Sequence, residues 1–195
     1  SVLTEPKWFL GSDDYLRAIA AEVQTPCLRK DFTVDPYMIY EAKLLGASAV
    51  LLICALLDTK TLASYLEIAE SLGLSALVEA HDEAEVASAA AAGARIIGVN
   101  NRNLKDFTVD IHNSIRLREY APVGTIFVAE SGIRTPEDVE TLRRNGVHAV
   151  LIGEQLMRAT SPKAEIDRLR GRERRESFVK TYRNLTDRPA PWVRT

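Results

Sequence analysis

Short apolar runs alternate along this chain with longer stretches whose apolar residues recur at helical spacing. Ala49–Ile53, Ile96–Val99, Ile126–Ala129 and Ala149–Ile152 are apolar or glycine throughout, the pattern of strands covered on both faces, as in a parallel sheet. Cys27–Lys30 and Ser75–Glu79 extend the series, and Ser1–Thr4 reads as the tail of another strand. The stretches between predict helices. Ser12 opens one over Tyr15–Val23, Asp35-Pro36 opens one that runs to Leu45 and stops at Gly46, and Asp58–Leu72 carries Leu62, Leu66 and Ala69 on one face. Further helices are expected over Asp82–Ala92, Asn113–Tyr120, from Thr135-Pro136 to Asn145-Gly146, over Glu154–Arg158 and over Ser161–Leu169.

Each run ends at a residue that begins a turn: Lys30, Ile53, Glu79, Asn100, Glu130 and Gly153, at intervals of 23, 26, 21, 30 and 23 residues. Strand-plus-helix units of this length imply parallel strands joined by helical crossovers. The fold class is therefore α/β, a (β/α)8 TIM barrel. A closed barrel needs eight strands and about 250 residues. About seven strands are expected here, so the first is missing and the barrel is N-terminally truncated. Residues 1–171 make the barrel domain. Residues 172–195, with the charge run Arg172–Glu176 and a proline-containing end, form an appendage of unknown role.

Composition narrows the function classes. Apolar residues make up 46% and charged residues 27% of the chain, as in ordinary globular proteins. A net charge of -2 argues against nucleic-acid binding through a broad positive field. Ala47–Leu57 is too short to span a membrane, and no basic-then-apolar leader is visible, so a cytoplasmic location is expected. Cys27 and Cys54 lie in apolar runs and read as reduced, buried thiols. His81, His112 and His148 lack ligand spacing, so no metal is expected. His81 beside Asp82 reads as a helix-cap residue.

In a parallel barrel the chemistry lies at the C-terminal ends of the strands. Lys30, Glu79 and Glu130 all fall there. A lone rim lysine could simply pair with Asp31, and one glutamate could be a solvated rim charge. Two carboxylates ending apolar strands, with a lysine at a third, favour a shared acid/base site, because a carboxylate in such a setting is costly unless paired or functional. Asn100-Asn101-Arg102-Asn103 is rich in hydrogen-bonding groups. Asn100 suits a hydroxyl or carboxylate and Arg102 a planar carboxylate, although asparagine-stabilised turns are common. Ser131-Gly132 and Gly153-Glu154 follow the last two strands, where backbone N–H groups and a helix start could cradle a phosphate. Trp8, Phe9 and Phe32 could stack on an aromatic substrate or close the barrel top. No Ser-His-Asp or Cys-His set is visible, which disfavours a nucleophilic hydrolase.

Several of these stretches resemble one family. Ser1–Glu5 with Lys7-Trp8-Phe9, Leu28-Arg29-Lys30-Asp31-Phe32, Leu77–His81, Gly98–Leu104, Ala129–Ile133 and Leu151–Glu154 are similar, in order, to indole-3-glycerol-phosphate synthase. The resemblance implies decarboxylating, dehydrating closure of 1-(2-carboxyphenylamino)-1-deoxyribulose 5-phosphate to indole-3-glycerol phosphate in tryptophan biosynthesis, without metal or organic cofactor. It implies that Lys30 is the general acid on the ketone oxygen and Glu79 the carboxylate of the later proton transfers. Asn100, Glu130 and Ser131 complete the catalytic set. Phe9, Phe32, Arg102, Leu104 and Leu151 contact substrate, and Gly132, Gly153 and Glu154 hold its phosphate. The family's N-terminal helix and its first strand, with a second lysine and a glutamate, are not matched. An alternative is a catalytically silent barrel that binds a phosphate ligand or a partner. The open edge would suit self-association or contact with another tryptophan-pathway enzyme. Phosphoribosylanthranilate isomerase, a sister barrel using a cysteine and an aspartate, fits less well because Cys27 and Cys54 fall within strands.

Overall fold

The computed structural model describes residues 1–103 and 108–171. Residue Leu104 and the segment 172–195 lie outside the described residues. Strands and helices alternate: β1 (Val2–Leu3), α1 (Asp13–Glu22), β2 (Leu28–Lys30), α2 (Tyr37–Leu44), β3 (Ala49–Ile53), α3 (Thr59–Ser71), β4 (Ser75–Ala80) and α4 (Glu83–Ala91). The order continues with β5 (Ile96–Asn100), α5 (His112–Arg118), β6 (Ile126–Glu130), α6 (Pro136–Arg144), β7 (Ala149–Leu151), α7 (Glu154–Arg158) and α8 (Pro162–Leu169). All seven strands lie in one sheet in sequence order, and every neighbouring pair is parallel. This is the successive strand-helix arrangement of a TIM barrel, with outer edges at β1 and β7 among the described residues.

The helix starts follow from side-chain capping. Asp58 accepts from the Thr61 N–H at 2.7 Å, and Asp82 from the Glu85 N–H at 2.9 Å. Thr135 and Asp138 form a reciprocal capping box. The cap of α4 is thus Asp82, and His81 has a different task, described below. At α2, Asp35 accepts from the Tyr37 N–H, and Pro36 is already helical.

Strand alternation sorts the side chains into two layers. Val50, Leu52, Val78, Ile97, Val99, Phe127 and Ala129 pack outward against the helices in the main core. Leu51, Ile53, Leu77 and Val128 form a smaller cluster on the other face, with Leu28, Phe32, Ile96 and Leu151 against it. Lys30, Glu79, Asn100 and Glu130 share the parity of that inner cluster and stand at its C-terminal end. Arg29 points the other way. Buried, it donates to Thr4 Oγ1 at 3.1 Å, the Met38 carbonyl at 2.9 Å, Asp13 at 2.9 Å and Glu41 at 2.8 Å. It thereby ties β1, β2, α1 and α2 together behind Lys30.

Candidate active site

The centre of the site is the Glu79 carboxylate, at the end of β4. Lys30 Nζ lies 3.5 Å from Oε2, and Asn100 Nδ2 donates to Oε1 at 3.2 Å. Glu130 shares a hydrogen bond with Glu79, so β2, β4, β5 and β6 each contribute one polar group. Asp31, beside Lys30 in sequence, turns away to Thr4 and Arg29. Lys30 therefore belongs to this cluster and is not a surface lysine paired with its neighbour.

Burial decides which carboxyl group carries the proton. Burial of Glu130, then the charge of Glu79 beside it, pushes the Glu130 carboxyl up to about 8, against a lesser opposing pull from Lys30. Two adjacent carboxylates cannot both ionise cheaply, and Glu79 is the one that faces the cation. Glu130 is therefore the carboxyl group that holds its proton more tightly than usual, the part expected of the acid in an acid/base pair. Glu130 Oε1 is buried without a hydrogen-bond partner, next to Gly98. A Cβ at Gly98 would stand 2.1 Å from that oxygen. A glycine in mid-strand is what lets the carboxyl lie flat on β5.

The aromatic and loop residues are placed as follows. Glu5 accepts the backbone N–H groups of Lys7, Trp8 and Phe9, and so fixes the loop after β1. The Phe9 and Phe32 rings meet at 4.7 Å between centroids, and Lys30 Nζ sits 5.6 Å from the Phe9 ring centre. Trp8 is exposed, with Lys7 over its ring. It does not join that pair. Leu151 is half-buried on the inner face.

Arg102 forms an isolated antiparallel bridge with Val109, and the Asn103 N–H donates to the Thr108 carbonyl at 2.9 Å. The Arg102 guanidinium pairs with Glu154 at 3.2 Å, and Glu154 also takes Arg158 at 3.1 Å. Ser131 and Gly132 both adopt positive φ, 67° and 78°. For serine this is a strained conformation of the kind found at functional sites. Val109 fills the space over Gly132, where a Cβ would lie 2.0 Å from its Cγ1. The buried Asn101 holds this turn: Nδ2 donates to the Ser131 carbonyl at 3.1 Å, while Oδ1 accepts from the Ser114 backbone and hydroxyl. Gly153 precedes α7 as its cap residue.

His81 was misread from sequence. Its Nε2 lies 3.4 Å from Glu79 Oε1, and its Nδ1 lies 3.2 Å from Glu85 Oε2. The available signal was parity: two residues beyond Glu79 in an extended segment falls on the same face. Gly98 and Asn101 were also passed over, although a glycine inside an apolar strand marks close approach. Of the thiols, Cys27 is buried, but Cys54 is half-buried, and burial followed by Glu85, Glu79 and Asp82 pushes it up to about 12. It is a poor nucleophile. Among the described residues no cluster of acidic, histidine or cysteine side chains could hold a metal ion, and no helix is long and apolar enough to cross a membrane.

The chain is similar in sequence to known proteins of one family. The model of the family described as indole-3-glycerol phosphate synthase matches residues 1–169. The enzyme of that name from Ruminiclostridium cellulolyticum is 66% identical over 171 residues, covering 88% of this chain and 66% of that protein. The one from Leuconostoc mesenteroides is 55% identical, covering 88% and 65%. The chain thus spans just under two thirds of these relatives' length. The crystal structure of 3-hexulose-6-phosphate synthase from Salmonella typhimurium superposes with a TM-score of 0.69 at 20% identity, over 82% of this chain and 78% of that one, which shows a shared fold. Matched from Ser1 to Leu169 by one family and two thirds identical to a member of it, the chain belongs to the indole-3-glycerol phosphate synthase family.

Proposed function

We propose that the protein closes the indole ring of tryptophan biosynthesis, converting 1-(2-carboxyphenylamino)-1-deoxyribulose 5-phosphate to indole-3-glycerol phosphate with loss of carbon dioxide and water. The observation that carries this reading is the convergence of Lys30, Glu79, Asn100 and Glu130 at one strand-end surface, in a chain of this family. Lys30 protonates the ketone oxygen and makes its carbon electrophilic toward the anilino ring. Glu79 accepts the proton released in the later steps, and Asn100 holds the carboxylate in place. Glu130, neutral below about pH 8, keeps a second proton beside the reacting centre for the dehydration. Ser131, at the strained turn, is the assigned hydroxyl of the catalytic set.

The phenyl ring of the substrate packs on Phe9 and Phe32, with Leu151 completing the apolar wall. Arg102 meets the anthranilate carboxylate. Backbone N–H groups at Gly132 and Gly153 take the phosphate. The Glu154 carboxylate is committed to Arg102 and Arg158, so any share of Glu154 in phosphate binding falls to its backbone N–H. No metal or organic cofactor enters this scheme. A cytoplasmic setting suits the free thiols of Cys27 and Cys54. The outer edges of β1 and β7 support pairing with a further strand, from a second copy or from another enzyme of the pathway.

The test is turnover of the anilino substrate followed by indole absorbance, with Lys30→Ala beside the unaltered protein. Loss of general acid catalysis should lower kcat by about 10²–10⁴-fold with KM little changed. Near-normal turnover in Lys30→Ala would remove the assignment. Phosphate binding without turnover in the unaltered whole protein would favour a silent binding module instead.

A further inference from the structure

Two groups beyond the catalytic set, His81 and Glu85, form a line from Glu79 toward the surface. Glu79 is almost fully enclosed, with its side chain 5% exposed, whereas His81 is 18% and Glu85 22% exposed. Glu79 Oε1 faces His81 Nε2 at 3.4 Å, and His81 Nδ1 faces Glu85 Oε2 at 3.2 Å. His81 Nε2 is buried and makes no hydrogen bond among the described residues, so its 3.4 Å separation from Glu79 Oε1 is a close approach rather than a formed hydrogen bond. The backbone around His81 is held on several sides. Glu85 Oε2 accepts the His81 backbone N–H at 2.7 Å, the Glu85 backbone N–H caps onto Asp82, and Asn113 Nδ2 donates to the His81 carbonyl at 3.3 Å. On the other side of Glu79, Oε2 meets Lys30, which the proposed reaction already uses as an acid.

We propose that His81 and Glu85 form a proton conduit between the buried Glu79 carboxylate and solvent. The proposal rests on the reading of Glu79 as the proton-transfer group. A proton taken up by Glu79 passes from Oε1 to His81 Nε2 as the Nδ1 proton moves to Glu85 Oε2. Glu79 regains its charge, the imidazole ends as the opposite neutral tautomer, and Glu85 releases the proton to water. When the dehydration step calls for a proton, the same path runs backwards and restores the first tautomer. An imidazole suits this task because its two nitrogens can exchange donor and acceptor roles without moving the ring. His81 and Glu85 are positioning and relay residues, and neither is placed against substrate.

His81→Gln keeps a hydrogen-bonding side chain of similar reach but cannot relay. Measured on the whole protein, it should lower kcat by about tenfold or more and leave KM within about twofold, the split expected for a group that acts on proton transfer. Added imidazole should raise kcat of His81→Ala by at least about threefold, since a free base can replace a missing one. Ring 15N signals of His81, assigned against His112 and His148 by substitution, should shift in both Glu79→Gln and Glu85→Gln. Unchanged kcat in His81→Gln, absence of imidazole rescue in a folded His81→Ala, or ring signals indifferent to both glutamates would each overturn the conduit. If His81→Ala does not fold, His81→Gln and the ring signals decide. If the unaltered protein shows no synthase turnover, the function reading fails separately, and the conduit stands or falls on the ring signals alone.

Discussion

Replacing Gly98 by alanine tests the site at its tightest point. The added Cβ would stand 2.1 Å from Glu130 Oε1 and 3.0 Å from Leu77 Cδ1, whereas ordinary contact begins at 3.4 Å. The carboxyl must therefore retreat by more than an ångström. It cannot do so freely, because Glu130 is 2% exposed and its hydrogen bond to Glu79 fixes its other end. Overpacking of this kind costs about 1–3 kcal/mol. For a chain of this size each kcal/mol lowers Tm by about 2–4 °C, so a loss of roughly 2–12 °C is expected. Turnover should fall as well, since the acid beside Glu79 is displaced.

The cause can be isolated with a double-mutant cycle read by thermal unfolding followed by circular dichroism. In a Glu130→Ala background the clash partner is gone. Gly98→Ala should then cost less by about 1–2 kcal/mol, within the usual range for residues in direct contact. The residue of the cost comes from Leu77. An equal Tm loss in both backgrounds would refute the idea that Gly98 exists to seat Glu130.

Three further outcomes follow from the same geometry. Glu130 has a folded pKa of about 8 against an ordinary 4.5, so the folded state binds more protons between those values and its stability falls as pH rises through that window, by at most about 1.4 kcal/mol per pH unit; Glu130→Gln should therefore gain in Tm relative to the unaltered protein from pH 5 to 8, and a constant difference would contradict the assignment. Arg29→Met strands Asp31, Asp13 and Glu41 without their shared cation, and should cost about 3–5 kcal/mol in urea unfolding; a loss below about 1 kcal/mol would show that Arg29 is not the tie between β1, β2 and the flanking helices. Glu154→Gln removes one negative charge and releases Arg102, so inorganic phosphate should bind a few-fold more tightly by calorimetry; unchanged or weaker binding would show that the Glu154 carboxylate does not oppose the anion.

The apolar runs made most of this fold legible. A strand covered on both faces has little freedom in composition, so β3, β5 and β6 stand out as uninterrupted hydrophobic segments. Helix starts were equally plain where Ser, Asp or Thr caps the first turn, as at Asp58 and Thr135. Boundaries slipped by a residue or two where the cap is backbone alone, as at α5, which begins at His112 and ends at Arg118. The site residues at strand ends were visible because a charge that terminates an apolar run needs a reason. Ion-pair partners were not, since Arg102 meets Glu154 across 52 positions of chain and nothing local marks the choice.

The error over His81 shows what local reading leaves out. Beside Asp82, at the start of a helix, a histidine suggests capping, and that inference uses only the residues that follow it. The preceding strand supplies the stronger constraint. From Leu77 the inward parity passes through Glu79 to His81, while Val78 and Ala80 pack outward against the helices. The turn that opens α4 then returns Glu85 to the ring, because Glu85 follows His81 by four residues and lies in the first turn of the helix. Parity aims the imidazole at Glu79, and helix geometry sets a carboxylate behind it. Neither element alone specifies the contact. It arises where the period of two gives way to the period of 3.6, which is also where a parallel barrel gathers its chemistry.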